Sequence, residues 1–260
     1  MTFRERFDVT VPAKQVAVAW LGQGSFAFKW REVQLYVDPY LSHSLEDTAG
    51  WRRWFEPPLR PEEARPDVVV FTHDHQDHVD PGTVPALAEH SDALFVGPQS
   101  CLDHARELGV APERLMRLES GDTLDVRGVN LRAFHADHMH PWGPPVPDAI
   151  SVELNFGGLR ILNAADTTLR EEVVSEVKGL SPDVLLVPIN GRFGNMDGTD
   201  AAIYTQEVKP HVVIPMHYGL FSANTADPRE FLDAVHAFTE ARAKVMGYGE
   251  IWLYGRTDDA

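Results

Sequence analysis

The feature that most constrains the fold is the run THDHQDH at residues 72–78, which directly follows the apolar run VVVF. A buried strand that ends in such a cluster delivers imidazoles and a carboxylate to one point at the rim of a sheet. His73 and His75 are two residues apart, so an extended backbone places both on one face. Asp77 and His78 then turn away, as they would to serve a second ion. Imidazole and carboxylate together suit zinc, iron or manganese, so the run predicts a metal site.

The composition is that of an ordinary globular protein with a strong excess of acidic side chains. The 260 residues include 39 Asp or Glu and 23 Lys or Arg, which gives a net charge of −16. This balance argues against nucleic acid as a partner, because such affinity depends largely on basic side chains. No apolar run approaches the roughly 20 residues of a membrane span, and the N-terminus is too polar for a signal peptide. With a single cysteine, Cys101, we expect a cytoplasmic protein without a membrane partner.

Short strands dominate the first half of the sequence, and strands alternate with helices in the second half. We predict strands at residues 16–21, 25–30, 33–37, 68–71, 93–96, 115–118, 123–126, 129–135, 150–156, 159–164, 184–187 and 212–215. We predict helices at residues 81–90, 99–108, 167–177, 200–208 and 228–241. The pattern predicts an α/β (α+β) protein with two sheets face to face and helices outside. No linker or repeat divides the chain, so we expect one domain spanning residues 1–260.

Two long segments lack a regular pattern and contain many aromatic and proline residues. They are residues 43–66, which include Trp51, and residues 138–148, which include Trp142. Long loops in a compact domain are often functional, so we expect both segments to form walls of a substrate pocket. Simple packing of surface aromatic side chains is the alternative interpretation.

Ligand-type residues also end several predicted strands further along the chain. His135, Asp166 and His217 each follow an apolar run, and a layered fold can bring such residues to one edge. Together with the opening run they make five histidines and two aspartates, too many for one tetrahedral ion and suitable for two. Dinuclear sites hold their metals roughly 3.5–4 Å apart around a bridging water or hydroxide, and Asp166 is the natural bridging carboxylate. Metal-bound hydroxide attacks carbonyl or phosphoryl centres, so the set of ligands favours hydrolysis.

These residues give the chain a resemblance to the metallo-β-lactamase superfamily, whose H-x-H-x-D-H motif is matched by residues 73–78. Within that superfamily the chain is similar to the L-ascorbate-6-phosphate lactonase group and its relatives. The supporting segments are WLG at 20–22, VDP at 37–39, FVGP at 95–98, GVAPER at 109–114 and VIPMHY at 213–218. The resemblance implies an αββα sandwich, the metallo-β-lactamase fold, with the site on the rim between the sheets. It also implies hydrolysis of a small ester or lactone, with a phosphorylated sugar lactone as one candidate.

The resemblance implies a role for each ligand around two divalent ions. The first ion would be bound by His73, His75 and His135, and the second by Asp77, His78 and His217, with Asp166 bridging and Asp38 orienting a ligand. Asp77, His78 and Asp166 would also act in catalysis. His138 and His140 remain alternatives to His135 as the third histidine. Zinc is the expected metal, with manganese or iron as alternatives.

One departure from the family pattern lies next to the bridging carboxylate. Ala165 precedes Asp166, where the superfamily commonly has glycine. Glycine adopts conformations that other residues avoid, so we expect the alanine to constrain this turn.

Candidate substrate contacts lie in the polar segment PINGRFGNM at residues 188–196. Arg192 could pair with a carboxylate or phosphate, and Asn190 could donate to a developing oxyanion. The alternative for this segment is a loop that packs through Phe193 and satisfies its own backbone. Trp142 and Tyr218 are further candidates; packing is the alternative role for Trp142 and the favoured role for Tyr218. We therefore expect a small, anionic substrate.

Two other functions compete with ester or lactone hydrolysis. One is phosphodiester hydrolysis within the same superfamily, and the other is a non-catalytic, metal-binding regulatory module. The full set of ligands argues against the second, because relatives that lose catalysis tend to lose ligands. A homo-oligomer is compatible with the acidic composition.

Overall fold

Two seven-stranded sheets form the centre of the computed structural model, which describes residues 1–138 and 146–256. In chain order the strands are β1 (Gln15–Gly22), β2 (Ser25–Trp30), β3 (Val33–Val37), β4 (Val68–Val70), β5 (Leu94–Gly97), β6 (Leu115–Arg117), β7 (Thr123–Val126), β8 (Val129–His135), β9 (Ile150–Phe156), β10 (Leu159–Asn163), β11 (Val184–Pro188), β12 (Val212–Met216), β13 (Arg242–Ala243) and β14 (Ile251–Gly255). The helices are α1 (Phe3–Phe7), α2 (Ser44–Ala49), α3 (Val84–His90), α4 (Gln99–Glu107), α5 (Glu171–Val177), α6 (Gly198–Val208) and α7 (Pro228–Phe238). Short 3₁₀ turns lie at Pro61–Glu63 and Pro112–Arg114.

Each sheet is antiparallel at one end and parallel at the other. The strand order is β14-β1-β2-β3-β4-β5-β6 in the first sheet and β13-β12-β11-β10-β9-β8-β7 in the second. Strands β3 to β6 run parallel in the first sheet, and strands β10 to β13 run parallel in the second. Parallel neighbours bring their carboxyl ends to the same edge of a sheet, where open α/β sheets carry their sites. The residues that follow these strands therefore lie along one edge of each sheet.

The side chains of β1 show that the first sheet is buried on both faces. Val16, Val18 and Trp20 belong to the core that the two sheets share, whereas Ala17 and Ala19 belong to a second core on the outer face. This alternation follows from the two-residue period of a strand. Helices α1, α3 and α4 cover that outer face, and α5 and α6 pack against strands of the second sheet. The αββα sandwich implied by the resemblance is thereby confirmed.

The helices are short, and within residues 1–138 and 146–256 the longest, α6 and α7, have 11 residues each. Asp197 and Asp227 cap these two helices, because each carboxylate accepts backbone N–H groups of the first turn. Among the helices that the structure describes, none combines the length and the apolar character needed to cross a bilayer.

Several elements differ from the sequence-based predictions. The C-terminal strand β14 was not predicted, and it pairs antiparallel with β1 at the far end of the chain. The segment 43–66 contains helix α2, although its proline and aromatic content predicts no regular structure. Helix α3 begins at Val84 and not at residue 81, and α5 begins at Glu171 and not at residue 167. Residues 167–170, which precede α5, belong to the turn that follows Asp166.

Replacement of Gly157 tests how closely the β9–β10 turn packs on the core. Gly157 has φ +64°, and a Cβ atom added there would lie 2.8 Å from the buried ring of Trp30. Gly179 has nearly the same φ, +67°, but open space around it. We expect Gly179→Ala to lower the free energy of unfolding by about 1–2 kcal/mol, the cost of a left-handed backbone. Gly157→Ala should cost about 1–3 kcal/mol more, because the methyl group overpacks the core.

Urea denaturation of the two variants and the wild-type protein measures this difference. Equal destabilisation by the two substitutions would show that the Trp30 ring moves freely, contrary to its place in the core.

Candidate metal centre

The candidate site lies where residues that follow parallel strands of both sheets meet. Asp38 follows β3, residues 73–78 follow β4, Asp166 follows β10, and His217 directly follows β12. The Nε2 atom of His217 lies 2.7 Å from Oδ1 of Asp166 within the second sheet. The Nε2 atom of His78, from the first sheet, lies 3.8 Å from Oδ2 of the same carboxylate. The edges of the two sheets therefore build one cluster.

Seven side chains form three overlapping groups in which the potential ligand atoms lie within 4.8 Å of one another. The groups are His73, His75 and His138; His73, His78 and Asp166; and Asp77, His78 and His217. Oδ2 of Asp166 lies 3.7 Å from Nε2 of His138, and its other oxygen faces His217. The Asp166 carboxylate therefore stands between the first and third groups, as a bridging ligand would.

Successive turns, and not an extended strand, bring His73 and His75 together. Strand β4 ends at Val70, after which the N–H of His75 donates to the carbonyl of His73 at 3.1 Å. The N–H of His78 donates in turn to the carbonyl of His75 at 2.9 Å. Nε2 of His73 then lies 3.0 Å from Nδ1 of His75. The predicted extended backbone is wrong here, because a chain that leaves the sheet must satisfy its polar groups locally.

His135 does not belong to the cluster. His138 lies beside His73 and His75, in the position predicted for His135. His135 is the last residue of β8, and its backbone N–H donates to the Glu176 carboxylate at 2.8 Å. The pairing with the segment before β9 continues for one residue beyond His135, so the chain reaches the site only three residues later. Nε2 of His138 lies 3.1 Å from Nδ1 of His75. The other alternative, His140, lies outside the described residues.

Asp38 orients two of the histidines. Its carboxylate lies 2.8 Å from Nδ1 of His78, and it accepts the backbone N–H and the hydroxyl of Thr72 at 2.8 and 2.6 Å. The same hydroxyl lies 3.1 Å from Nδ1 of His73. A carboxylate behind a histidine sets the tautomer and ring orientation that present Nε2 to a metal. Asp38 thus has the orienting position that the resemblance implies.

Burial sets the protonation of the first group of histidines. It lowers the pKa of His73 well below the usual value, lowers that of His75 to about 4, and lowers that of His138. The positive charge of neighbouring imidazoles adds to the effect at His73 and His75. These three side chains are therefore neutral near pH 7, which is the form that binds metal.

At His78 the pKa is shifted in the opposite direction. Burial acts to lower the pKa of His78, but the carboxylates of Asp38, Asp77 and Asp166 outweigh it and raise the pKa to about 10. Burial likewise opposes ionisation of Asp166, yet the charges of His217 and His78 hold its pKa well below the usual value. The carboxylates therefore attract positive charge to this point, whether from a proton or from a cation.

The donor atoms also pass a test of fit to a metal ion. Nε2 of His78 is buried and has no hydrogen-bond partner in the described part of the chain. Nε2 of His217 and Oδ1 of Asp166 are likewise buried and, although they lie 2.7 Å apart, do not have the geometry of a hydrogen bond. An unsatisfied buried polar atom costs about 1–3 kcal/mol, so donor atoms of this kind at one point indicate a shared ligand. Imidazole nitrogen and carboxylate oxygen together suit a divalent transition metal. The residues therefore fit the divalent metal ion that the sequence predicts.

Gln23 and Asn195 support the site, and the sequence analysis did not identify either. The backbone carbonyl of Gln23 accepts the N–H of His217 at 3.2 Å, and its amide nitrogen lies 3.4 Å from Nδ1 of that histidine. The amide of Asn195 donates to Oδ2 of Asp166 at 2.8 Å. Asn195 belongs to the polar segment 188–196 that the sequence singles out, whereas Gln23 is marked only by its place between two glycines.

Three residues of the site have left-handed backbone conformations. The φ angles are 45° at Asp38, 59° at Ala165 and 60° at His217. Each residue turns the chain sharply where a strand ends, at a cost of about 1–2 kcal/mol for a residue other than glycine. The N–H of Ala165 donates to the side chain of Asn163 at 2.8 Å, which helps to hold that turn. The constraint predicted for Ala165 is therefore confirmed.

The predicted substrate contacts in the polar segment, Asn190 and Arg192, make their hydrogen bonds to other parts of the protein. Asn190 is buried, and its amide donates to Oδ1 of Asn224 at 2.7 Å. Arg192 is exposed, and its guanidinium donates to the carbonyl of Ala223 at 3.3 Å. Neither side chain lines the cavity described below, whereas Phe193 of the same loop does. Trp142 lies outside the described residues.

Tyr218 is packed inside the protein, which is the role that the sequence favours over a substrate contact. Its ring stacks on Trp20 with 4.6 Å between the ring centroids, and its hydroxyl donates to the carbonyl of Met246 at 2.7 Å. The left-handed turn at His217 directs the side chain after it into the core. The hydroxyl is therefore already engaged inside the protein.

A cavity of about 450 Å³ opens beside the cluster. Its lining includes members of the cluster and four apolar side chains, Leu45, Ala49, Trp51 and Phe193, which together are called the apolar wall. Leu45 and Ala49 belong to α2, and Trp51 follows that helix. The prediction that the segment 43–66 contributes a wall is therefore confirmed.

Substitution of His138 and of His135 tests the assignment of the third histidine. We expect His138→Ala to lose roughly one equivalent of tightly bound divalent metal, because it removes one of three neighbouring imidazoles. His135→Ala should keep the wild-type metal content, since that side chain lies outside the cluster. Elemental analysis after dialysis against zinc measures both variants. Loss of metal from His135→Ala alone would contradict the assignment.

Asp38→Asn tests the orienting role of that carboxylate. We expect metal affinity to fall about 10- to 100-fold, because an amide cannot hold His78 in the same way. Asp80→Asn is the matched control, since Asp80 is also buried but accepts hydrogen bonds from Ser42 and Ser44, which are outside the cluster. Competition with a chromophoric chelator measures the affinities. An equal loss in both variants would indicate a general effect on folding.

The chain matches known proteins along most of its length. Residues 17–217 match the family described as Beta-lactamase superfamily domain. A UPF0173 metal-dependent hydrolase of Hyperthermus butylicus is 30% identical over 243 residues, covering 91% of this chain and 99% of that protein. Igni18, a metallo hydrolase from Ignicoccus hospitalis, has a structure that matches with a TM-score of 0.72 at 26% identity, covering 94% of this chain and 100% of that one. The chain therefore belongs to the UPF0173 family of the metallo-β-lactamase superfamily.

Proposed function

We propose that the protein is a metal-dependent hydrolase that uses two divalent ions to open a small ester or lactone. The position of Asp166 between two groups of histidines carries this proposal. The buried, unpartnered donor atoms and the adjoining cavity support it. Membership of a family whose relatives are described as metal-dependent hydrolases supports the same reaction class.

The proposal assigns the ligands to two ions. His73, His75 and His138 would hold the first, Asp77, His78 and His217 would hold the second, and Asp166 would bridge them. Such ions supply Lewis-acid chemistry, lowering the pKa of water and polarising a carbonyl. Zinc is the proposed metal, with manganese or iron as alternatives.

Asp77 is the residue best placed to hold and move a proton. Its carboxylate is partly exposed, lines the cavity and lies 3.8 Å from Nε2 of His78. In hydrolysis it would accept a proton from the attacking water and return it to the alkoxide of the leaving group. For a lactone the ring opens and the product is a hydroxy acid. Asn195 would keep Asp166 in place meanwhile, through the bond to Oδ2.

Cys101 has no place in this chemistry. The thiol is buried, and burial raises its pKa well above the usual value, which disfavours the nucleophilic thiolate. A cytoplasmic location and a small-molecule substrate are part of the same proposal. The single cysteine and the net charge of −16 support them.

Turnover of model substrates tests the proposal. A panel of lactones, carboxylic esters and phosphodiesters is incubated with chelated protein and with protein reloaded with zinc, manganese or iron. We expect metal-dependent hydrolysis of esters or lactones, and a fall in kcat/KM of at least about 10³-fold for Asp166→Ala, because both ions lose a ligand. Cys101→Ala should retain nearly full activity.

Two results would contradict the proposal. Metal-loaded protein that hydrolyses no ester or lactone would favour a regulatory module, and a preference for phosphodiesters would favour the phosphodiesterase alternative.

A further inference from the structure

We propose that the cavity beside the metal ligands takes a neutral substrate with an apolar group of aromatic size. This inference rests on the proposed function and names the substrate class of the same site. It replaces the anionic, phosphorylated substrate that the sequence led us to expect. The charge, the shape and the anchoring of the cavity wall support it.

The apolar wall is made of large, packed side chains. The rings of Trp51 and Phe193 lie 5.2 Å apart, tilted by 42°, and Trp51 also packs on the buried ring of Phe221 at 5.8 Å. Leu45 is buried in the same cluster. Tilted aromatic rings offer a face and an edge to a third ring, and the burial of apolar surface there favours binding.

The wall is held in place before any substrate binds. The buried guanidinium of Arg53, two residues after Trp51, donates to the carbonyl of Tyr40 at 3.1 Å and to the hydroxyl of Tyr248 at 2.7 Å. The hydroxyl of Thr48 in α2 donates to the side chain of Gln76 at 2.8 Å, which ties the helix to the ligand turn. A wall ordered in this way spares the substrate the cost of ordering it.

The described lining of the cavity offers no lysine or arginine to a remote anionic group. Among the described residues that line it there is no lysine or arginine, and the sequence of residues 139–145 contains none either. Arg192 is exposed and bonded to the carbonyl of Ala223, and Asp74 adds a carboxylate to the lining. A phosphate held away from the ions would lose its hydration without gaining a charged partner.

The polar contacts that remain suit a neutral oxygen. Asn224 and Gln76 contribute uncharged amides to the lining. Oδ1 of Asn224 accepts the amide of Asn190 at 2.7 Å, so its NH₂ group is the part available to donate into the cavity. A carbonyl or ether oxygen is satisfied by one such donor.

Two amide probes that resist hydrolysis test the inference by calorimetric titration of the zinc-loaded protein. They are 4-phenylbutanamide, which is neutral and aromatic, and 4-phosphonobutanamide, which places an anion at the same distance. We expect the phenyl probe to bind, and to bind at least tenfold more weakly to Trp51→Ala and to Phe193→Ala. Arg192→Ala is the matched control next to Phe193, and its affinity for the phenyl probe should be unchanged. Thermal melting confirms that each variant is folded.

Either of two results with the wild-type protein or Arg192→Ala would overturn the inference. One is the absence of measurable binding of the phenyl probe to the wild-type protein. The other is binding of the phosphono probe that weakens tenfold in Arg192→Ala. Because the titration needs no turnover, binding of the phenyl probe without ester hydrolysis would refute only the proposed function. Ester hydrolysis by the wild-type protein, together with unchanged affinity of Trp51→Ala and Phe193→Ala for the phenyl probe, would refute only the substrate class.

Discussion

The buried carboxylate of Asp38 is the interaction on which the arrangement of the site depends. It stands at the end of β3 and receives three donors from the ligand turn, two from Thr72 and one from His78. A buried charge is tolerated only when it is paired in this manner. The same bonds join the first sheet to the turn and aim the His78 ring. One carboxylate thus couples the position of the backbone to the direction of a ligand atom.

The second sheet completes the site by the same geometric rule. Parallel strands bring their carboxyl ends to one edge, and Asp166 and His217 leave β10 and β12 there in left-handed turns. A backbone bond from Ile150 to the carbonyl of Thr72, 3.0 Å long, joins the two sheets directly beside the ligand turn. The centre is therefore a property of two sheet edges held in register, and neither sheet alone contains it.

Most members of the candidate metal site could be identified in the sequence because their signal is local. His73, Asp166 and His217 are polar residues that end apolar runs, and a strand end is visible in the sequence. His135 lies outside the cluster because the point where β8 stops pairing depends on a segment after residue 145, which the local pattern does not show. The packing role of Tyr218 depends likewise on distant residues.

The fold shows the same division between local and long-range information. Most strands could be predicted from their apolar runs, whereas β14 finds its place only by pairing with β1 more than two hundred residues earlier. In the polar segment 188–196 the sequence leaves two roles equally open, a substrate contact through Arg192 and packing through Phe193. In the structure the Phe193 ring packs against Trp51, and this long-range contact is not visible in the local sequence.

The apolar wall and the ligands are built on different parts of the architecture. Ligands leave the ends of sheet strands, while the wall belongs to α2, the segment after it and the loop around Phe193. Connecting segments tolerate sequence change far better than the strands they join. Substitution of a few side chains there would change the shape of the cavity without changing the candidate ligands. A protein with this layout could therefore change its substrate specificity through substitutions in two short surface segments.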